Sequence, residues 1–186
     1  MKIYTKTGDD GSTGLLYGGR IDKDDLRTQA YGTTDEAVAV LGLARALGPA
    51  AKSLGPLLLT VQRDLFVLGA ELATAAENAS KLTAGVSKVT EDMIARLETE
   101  IDRMTDEAPL PDHFIVPGET AVGATIDVAR SVVRRAERLV VTLVKSSALS
   151  DDLCLRYLNR LSDFLFTAAR FEETAAGTVA PASRET

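Results

Sequence analysis

One stretch restricts the architecture of this chain more than any other: Ala129-Arg130-Ser131-Val132-Val133-Arg134-Arg135-Ala136-Glu137-Arg138, with the residues that follow to Leu143. Advanced by about 100° per residue, Val132, Val133, Ala136, Leu139, Val140 and Leu143 fall into one apolar stripe. That spacing predicts a helix with one buried side. Arg130, Arg134 and Glu137 fall together on a different face. The first face can join a core while the second offers guanidinium groups, whose planar fork suits carboxylates and phosphate oxygens. Taken alone, the helix also fits a solvated face with an internal ion pair such as Arg134 with Glu137.

The rest of the chain narrows the choice. Its 186 residues suit one domain with a sizeable core, and plentiful alanine with few aromatics favours helices over strands. A formal charge of −6 argues against nucleic acid as the main partner. Cys154 and His113 are the only residues of their kinds. Disulfide frameworks, CxxC redox sites, clustered Cys/His zinc sites and paired Glu-x-x-His di-iron sites are thereby excluded within one chain. No apolar run approaches the roughly 20 residues of a membrane span, and Met1-Lys2-Ile3-Tyr4 does not open a secretory leader. A reduced, cytoplasmic protein is expected, without membrane contact.

Five helices are predicted, which makes an all-α bundle. Residues 1–20 precede them and carry Gly8, Gly11, Gly14, Gly18 and Gly19 among threonines and Lys6. Such a glycine-rich N-terminal loop cannot hold a helix. Its N–H groups, hydroxyls and Lys6 suit a polyphosphate, although no Walker motif is present. A flexible leader covering the surface is the alternative.

The first helix is predicted from Thr33, with Thr33-Thr34-Asp35-Glu36 as a capping box, to Leu47-Gly48. The run Asp22-Lys23-Asp24-Asp25 leaves that start soft. The second covers residues 50–77, with Pro56 in its first turns and a close helix approach at Gly69. A linker over residues 78–87 leads to the third, which starts at Thr90-Glu91-Asp92. Between Pro109 and Gly118 lies a loop too apolar for ordinary solvent exposure, because it contains Phe114-Ile115-Val116. The fourth helix covers residues 119–146, and Ser150-Asp151-Asp152 caps the fifth. The single domain is expected over residues 1–173, with 174–186 a disordered tail.

Together these pieces resemble the PduO-type ATP:cob(I)alamin (corrinoid) adenosyltransferases. The resemblance rests on Ile3-Tyr4-Thr5-Lys6-Thr7-Gly8-Asp9-Asp10-Gly11, Lys23-Asp24-Asp25, Gly32-Thr33-Thr34-Asp35-Glu36 and Gln62-Arg63-Asp64-Leu65. It continues through Phe114-x-x-Pro117-Gly118, Ala129-Arg130 to Arg138, and Leu158-Asn159-Arg160-Leu161-Ser162-Asp163. The motifs occur in the family's order across residues 3 to about 170.

The resemblance implies a homotrimeric five-helix bundle with active sites between subunits. There the 5′-deoxyadenosyl group of ATP passes to Co(I) of cobalamin or a related corrinoid, releasing triphosphate, with Mg²⁺ held mainly by the phosphates. It implies nucleotide contacts at Thr5, Lys6, Thr7, Gly8, Thr13, Gly14, Lys23, Arg134, Arg135, Glu137, Arg138 and Asn159. Lys6 and Arg134 would also serve catalysis. Asp35 and Arg130 would form an ion pair that assembles the site, and Phe114 would shape the corrinoid side by displacing the lower axial ligand. A reductase and an adenosylcobalamin-dependent mutase are implied partners. A non-catalytic carrier of ATP or adenosylcobalamin is the rival reading. The chain departs from the family pattern at Ala37-Val38, Glu119, Asp127 and Val133, most of them toward the corrinoid side.

Overall fold

A computed structural model describes residues 4–184, so Ile3 of the first motif and the last two residues of the expected tail lie outside the described part. A short antiparallel hairpin comes first, with β1 over Ser12–Gly14 and β2 over Arg20–Asp22. Five helices follow: α1 Leu26–Ala46, α2 Leu54–Leu72, α3 Glu91–Glu107, α4 Ala121–Lys145 and α5 Leu153–Ala175. A 3₁₀ helix occupies Ala76–Lys81, inside what was expected to be helix two and a linker. None of these helices is long and apolar enough to cross a membrane.

The predicted stripe of α4 is the seam of the bundle. Val132, Val133, Ala136, Val140 and Leu143 are buried, and α4 packs against both α1 and α5. Helix α2 lies on the far side of α1, and α3 on the far side of α5. Asp64 links these outer helices. Its buried carboxylate accepts from Arg96 of α3 at 2.8 and 2.9 Å and from the buried Tyr157 hydroxyl of α5 at 3.1 Å. Burial and the Asp64 carboxylate together push the Tyr157 phenol well above its ordinary pKa.

Three boundaries differ from the sequence reading, each for a local hydrogen-bonding reason. Helix α1 starts at Leu26, because Asp25 is its N-cap and accepts from the Arg27 amide at 2.7 Å. Thr33 and Thr34 are interior, and their hydroxyls donate to the carbonyls of Gln29 and Tyr31, both at 2.7 Å. A threonine satisfied within its own helix has no capping to do. Helix α2 starts later and stops earlier than expected. Glu172 takes the Ala50 and Ala51 amides at 2.8 and 2.9 Å, which holds that segment as a turn. At the other end the buried Arg27 guanidinium binds the carbonyls of Leu72, Thr74 and Ala148 at 2.7–2.8 Å. It thereby satisfies acceptors that a longer helix would have used internally.

The expected disordered tail is the third difference. Past α5 the chain returns to the Phe114 loop, where the Val116 amide donates to Pro181 at 2.9 Å and the Ser183 amide to Phe114 at 2.7 Å. Ile115 and Ala182 form an antiparallel bridge, and Ala180 is buried. Proline-rich loop and alanine-rich tail each lack internal partners for their backbone groups and find them in each other.

Candidate functional site

The glycine-rich segment is a built turn. Lys23 reaches back from behind β2 and donates its Nζ to the Gly8 carbonyl at 2.7 Å. A Cβ on Gly8 would lie 3.1 Å from both that Nζ and the Ser12 carbonyl oxygen, so the close approach depends on glycine. Arg20 donates to the Thr7 carbonyl at 2.6 Å and to the Ser12 hydroxyl. Asp10 accepts from the Ser12 amide at 2.9 Å and its hydroxyl at 2.7 Å, and the amide bond first among these holds the Asp10 carboxyl below its ordinary pKa. Thr5 and Thr7 share a 2.8 Å hydroxyl contact. Lys6 between them sits at φ 61°, a left-handed conformation that non-glycine residues seldom adopt. Thr13 and Gly14 lie on β1, opposite Ile21 and Arg20. The Leu16 amide fixes the hairpin to the end of α2 by a 2.9 Å bond to Ala73.

The arginine face of α4 is assembled differently. Arg134 and Arg138 are exposed, and Arg138 is steadied by a 2.8 Å bond to the Arg134 carbonyl. Among the described residues the Arg134 guanidinium has no ion-pair or hydrogen-bond partner. Glu137, considered above as its partner, instead accepts from Asn159 of α5 at 3.1 Å. Glu137 and Asn159 line a cleft of about 350 Å³ with Ile94, Val141, Arg156 and Arg160. Arg135 points elsewhere and pairs with Glu36 of α1.

The predicted residues therefore form separate groups in one chain. Among the described residues, no hydrogen bond or ion pair joins residues 4–23 to Arg134, Glu137, Arg138 or Asn159. Asp35 lies exposed at an apolar cleft of about 490 Å³ between α1 and α2, which Tyr31, Val38 and Phe66 also line. No ion pair joins it to Arg130 within the chain. Arg130 donates its Nε to Asp127 at 3.3 Å and lies over the Phe166 ring at 5.8 Å. Phe114 is 87% exposed on its tail-supported loop.

A buried ionic cluster behind Arg130 escaped the sequence reading. Arg170 of α5, 5% exposed, donates to Asp127 at 2.7 Å and to both oxygens of Glu173 at 2.7 and 2.9 Å. Burial works to lower the Arg170 pKa, but the hydrogen bonds it donates to Glu173 and Asp127 prevail and raise it. Its sequence signal was only the i,i+3 spacing of Arg170 and Glu173, which exposed pairs share.

Similarity to known proteins extends over nearly the whole chain. Residues 3–172 match the family described as cobalamin adenosyltransferase. The corrinoid adenosyltransferase of Bacillus subtilis (strain 168) is 46% identical, over 95% of this chain and 89% of that protein. The Citrobacter freundii corrinoid adenosyltransferase is 44% identical, over 93% of this chain and 96% of its own length. Among solved structures, a phenylalanine-to-alanine variant of the PduO-type ATP:corrinoid adenosyltransferase from Lactobacillus reuteri, complexed with cobalamin and ATP, superposes with TM-score 0.89. It is 33% identical and covers 99% of this chain and 100% of that one. An arginine-to-lysine variant of the Lactobacillus reuteri enzyme, complexed with ATP, gives TM-score 0.87 at 33% identity, over 98% and 100% of the two chains. A match that runs from the loop of Lys6 through the last turns of α5 takes in every element described above, and the chain belongs to the cobalamin adenosyltransferase family.

Proposed function

We propose that this chain is an ATP:corrinoid adenosyltransferase, which moves the 5′-deoxyadenosyl group of ATP onto Co(I) of cobalamin or a related corrinoid. The electron pair of Co(I) forms the new bond to C5′, the C5′–O bond breaks, and its electrons leave with triphosphate. Co(I) is itself a strong nucleophile, so the protein's work is to orient the two substrates and to stabilise the charge that develops on the leaving group. The observation that carries this reading is the near full-length similarity to a PduO-type enzyme complexed with cobalamin and ATP.

The residues are proposed to divide that work as follows. Thr5, Lys6, Thr7, Gly8, Thr13, Gly14 and Lys23 present donors to the triphosphate. Arg134 and Arg138 add cations, Arg135 steadies α4 against α1 through Glu36, and Glu137 with Asn159 holds the nucleoside end. Mg²⁺, which prefers hard oxygen ligands, would enter on the phosphates. Glu137 suits it as a neighbour, because its Oε2 has no hydrogen bond among the described residues. Phe114 would cover the corrinoid and keep water and the lower base from cobalt.

Because the phosphate loop and the arginine face are not joined within one chain, the complete site is proposed to form between subunits of a homotrimer. Asp35 of one copy would meet Arg130 of the next. Exposed Leu43, Phe66 and Val128 are apolar surface for such contacts. A reductase would supply Co(I), and a mutase would use the product. The free, buried Cys154 suits a reduced, cytoplasmic setting.

The test is direct. The protein is incubated with ATP, Mg²⁺ and chemically reduced cobalamin, and the adenosylcobalamin spectrum and free triphosphate are followed together. Equimolar appearance of both is expected. Tight binding of ATP and cobalamin without either product would make the chain a carrier.

A further inference from the structure

Asp127 lies on the inner side of α4, one helical turn before Arg130, with its carboxylate 6% exposed as a residue and gripped from two directions. Its Oδ2 accepts from Arg170 at 2.7 Å and its Oδ1 from the Nε of Arg130 at 3.3 Å. Arg170 is fixed in turn by both Glu173 oxygens. Glu173 packs against the first turn of α4, where a Cβ on Gly123 would come within 3.4 Å of its side chain. The Phe166 ring completes the setting, lying 5.8 Å from the Arg130 guanidinium and 5.3 Å from that of Arg170. Arg130 is thus held at its inner edge by a carboxylate and across its face by a ring. Its two terminal nitrogens make no hydrogen bond among the described residues.

We propose that Asp127 is a positioning residue, which sets the Arg130 guanidinium so that its terminal fork faces out of the subunit toward an anionic group of the assembled site. The inference rests on the adenosyltransferase reading for its catalytic consequence. Orientation is what Asp127 supplies. An arginine side chain has several rotatable bonds, and an exposed one loses much of the value of a charged contact in ordering itself. Here Asp127 removes that freedom beforehand at the Nε, the position that leaves the NH1/NH2 edge available for a bidentate contact. The cluster of Asp127, Arg130, Arg170 and Glu173 contains two carboxylates and two guanidiniums, so it is neutral as a whole. Asp127 therefore orients Arg130 without leaving an unbalanced carboxylate in a dry place. The same cluster reaches the corrinoid side. The Glu173 carbonyl accepts from the Thr178 amide at 2.9 Å, and the chain then runs into the residues that pair with Phe114.

The test uses the full-length protein and two readouts. Asp127→Ala is expected to lower kcat about tenfold to a hundredfold, the range for a misplaced positioning group, with the KM for ATP nearly unchanged. Asp127→Asn, which keeps an acceptor toward Arg130, is expected to recover a large part of that loss. In an Arg130→Ala background, Asp127→Ala should cost no further activity, because the two act as one unit. A multiplicative loss in the double variant would mean that Asp127 is structural only and would overturn the proposal. The second readout is the Arg130 Nε–H resonance in a ¹⁵N-labelled sample, identified by its absence in Arg130→Ala. It should be protected from solvent exchange in the wild type and in Asp127→Asn, and exposed in Asp127→Ala. A resonance that Asp127→Ala leaves protected also overturns the proposal. This readout needs no turnover, so wild-type protein that fails to adenosylate cobalamin would refute the functional reading while the positioning of Arg130 is still decided.

Discussion

Along α4, arginines are met in opposite conditions: one from α5 packed against its first turns, others of its own further on. Near its start Asp127 meets Arg170, where three charged groups are under a tenth exposed and each has partners at hydrogen-bond distance. Two to three turns later Arg134 and Arg138 stand in solvent, and the Arg134 guanidinium has no partner among the described residues. The Arg170 guanidinium spends its Nε and one terminal nitrogen on two carboxylates, and its other terminal nitrogen is buried out of a ligand's reach. A guanidinium whose charge is unspent, on a face the core does not use, can meet an incoming anion at little structural cost. Arg130 lies between these conditions, tethered at one nitrogen and open at two. Burial between α4 and α5 thus separates the arginine that holds the two helices together from the α4 arginines available for chemistry.

The largest effect should come from the dry end. Arg170→Met leaves Asp127 and Glu173 buried without their main cation, and breaking a buried pair this way costs about 3–5 kcal/mol. Denaturant unfolding should show that loss. A change of under about 1 kcal/mol, the value for an exposed pair such as Arg135 with Glu36, would erase the distinction between the two ends.

At the wet end the effect should move from stability to activity. Arg134→Ala is expected to slow adenosyl transfer by one or two factors of ten, each worth about 1.4 kcal/mol in the transition state. Unfolding stability should stay within about 0.5 kcal/mol of wild type, since no folded-state partner is lost. Wild-type kinetics in this variant would remove the arginine face from the site.

Glu71 is the counter-case, a buried carboxylate near the end of α2 with no ion-pair partner among the described residues. It is 4% exposed and accepts from the Val89 amide at 2.7 Å, while nearby Lys88 pairs with Asp151 at 2.9 Å. Burial pushes the Glu71 carboxyl above its ordinary value of 4.5, against the pull of the Val89 amide. The folded state therefore binds this proton more tightly than the unfolded state. Its stabilising contribution is complete below the unfolded pKa and is lost as pH rises through the folded value. Glu71→Gln keeps an acceptor for Val89 and cannot ionise, so the variant should gain stability relative to wild type as pH rises from about 4.5. Denaturation midpoints measured across that window test it. Parallel curves for the two proteins would show that Glu71 is solvated as well as its exposed counterparts.

The helices were legible because apolar periodicity is a local property: Val132, Val133, Ala136 and Val140 announce their burial by spacing alone. The Lys6 loop and the arginine run stood out for a related reason, since dense glycine rules out a helix and charge off the apolar stripe cannot join the core. Caps were less so. Thr33 and Asp25 are both good capping residues, and the choice fell to which of them could be satisfied inside the helix. The tail was misread because its composition resembles that of disordered segments, whereas its order comes from the Phe114 loop, more than 60 residues earlier in the chain.

Local sequence was enough to set the faces: which side of each helix is apolar, where glycine frees the backbone, and where cations gather off the apolar stripe. Partnership came from packing. Asp127, Arg170 and Glu173 meet because α4 and α5 pack side by side, and Arg27 finds the end of α2 because the helices cross there. Glu137 turns from Arg134, three residues away, to Asn159 on another helix. Periodicity depends on the angle between successive residues, which every stretch of sequence carries. A buried ion pair depends on the loss of water around two groups at once, and that occurs only when distant segments close over them.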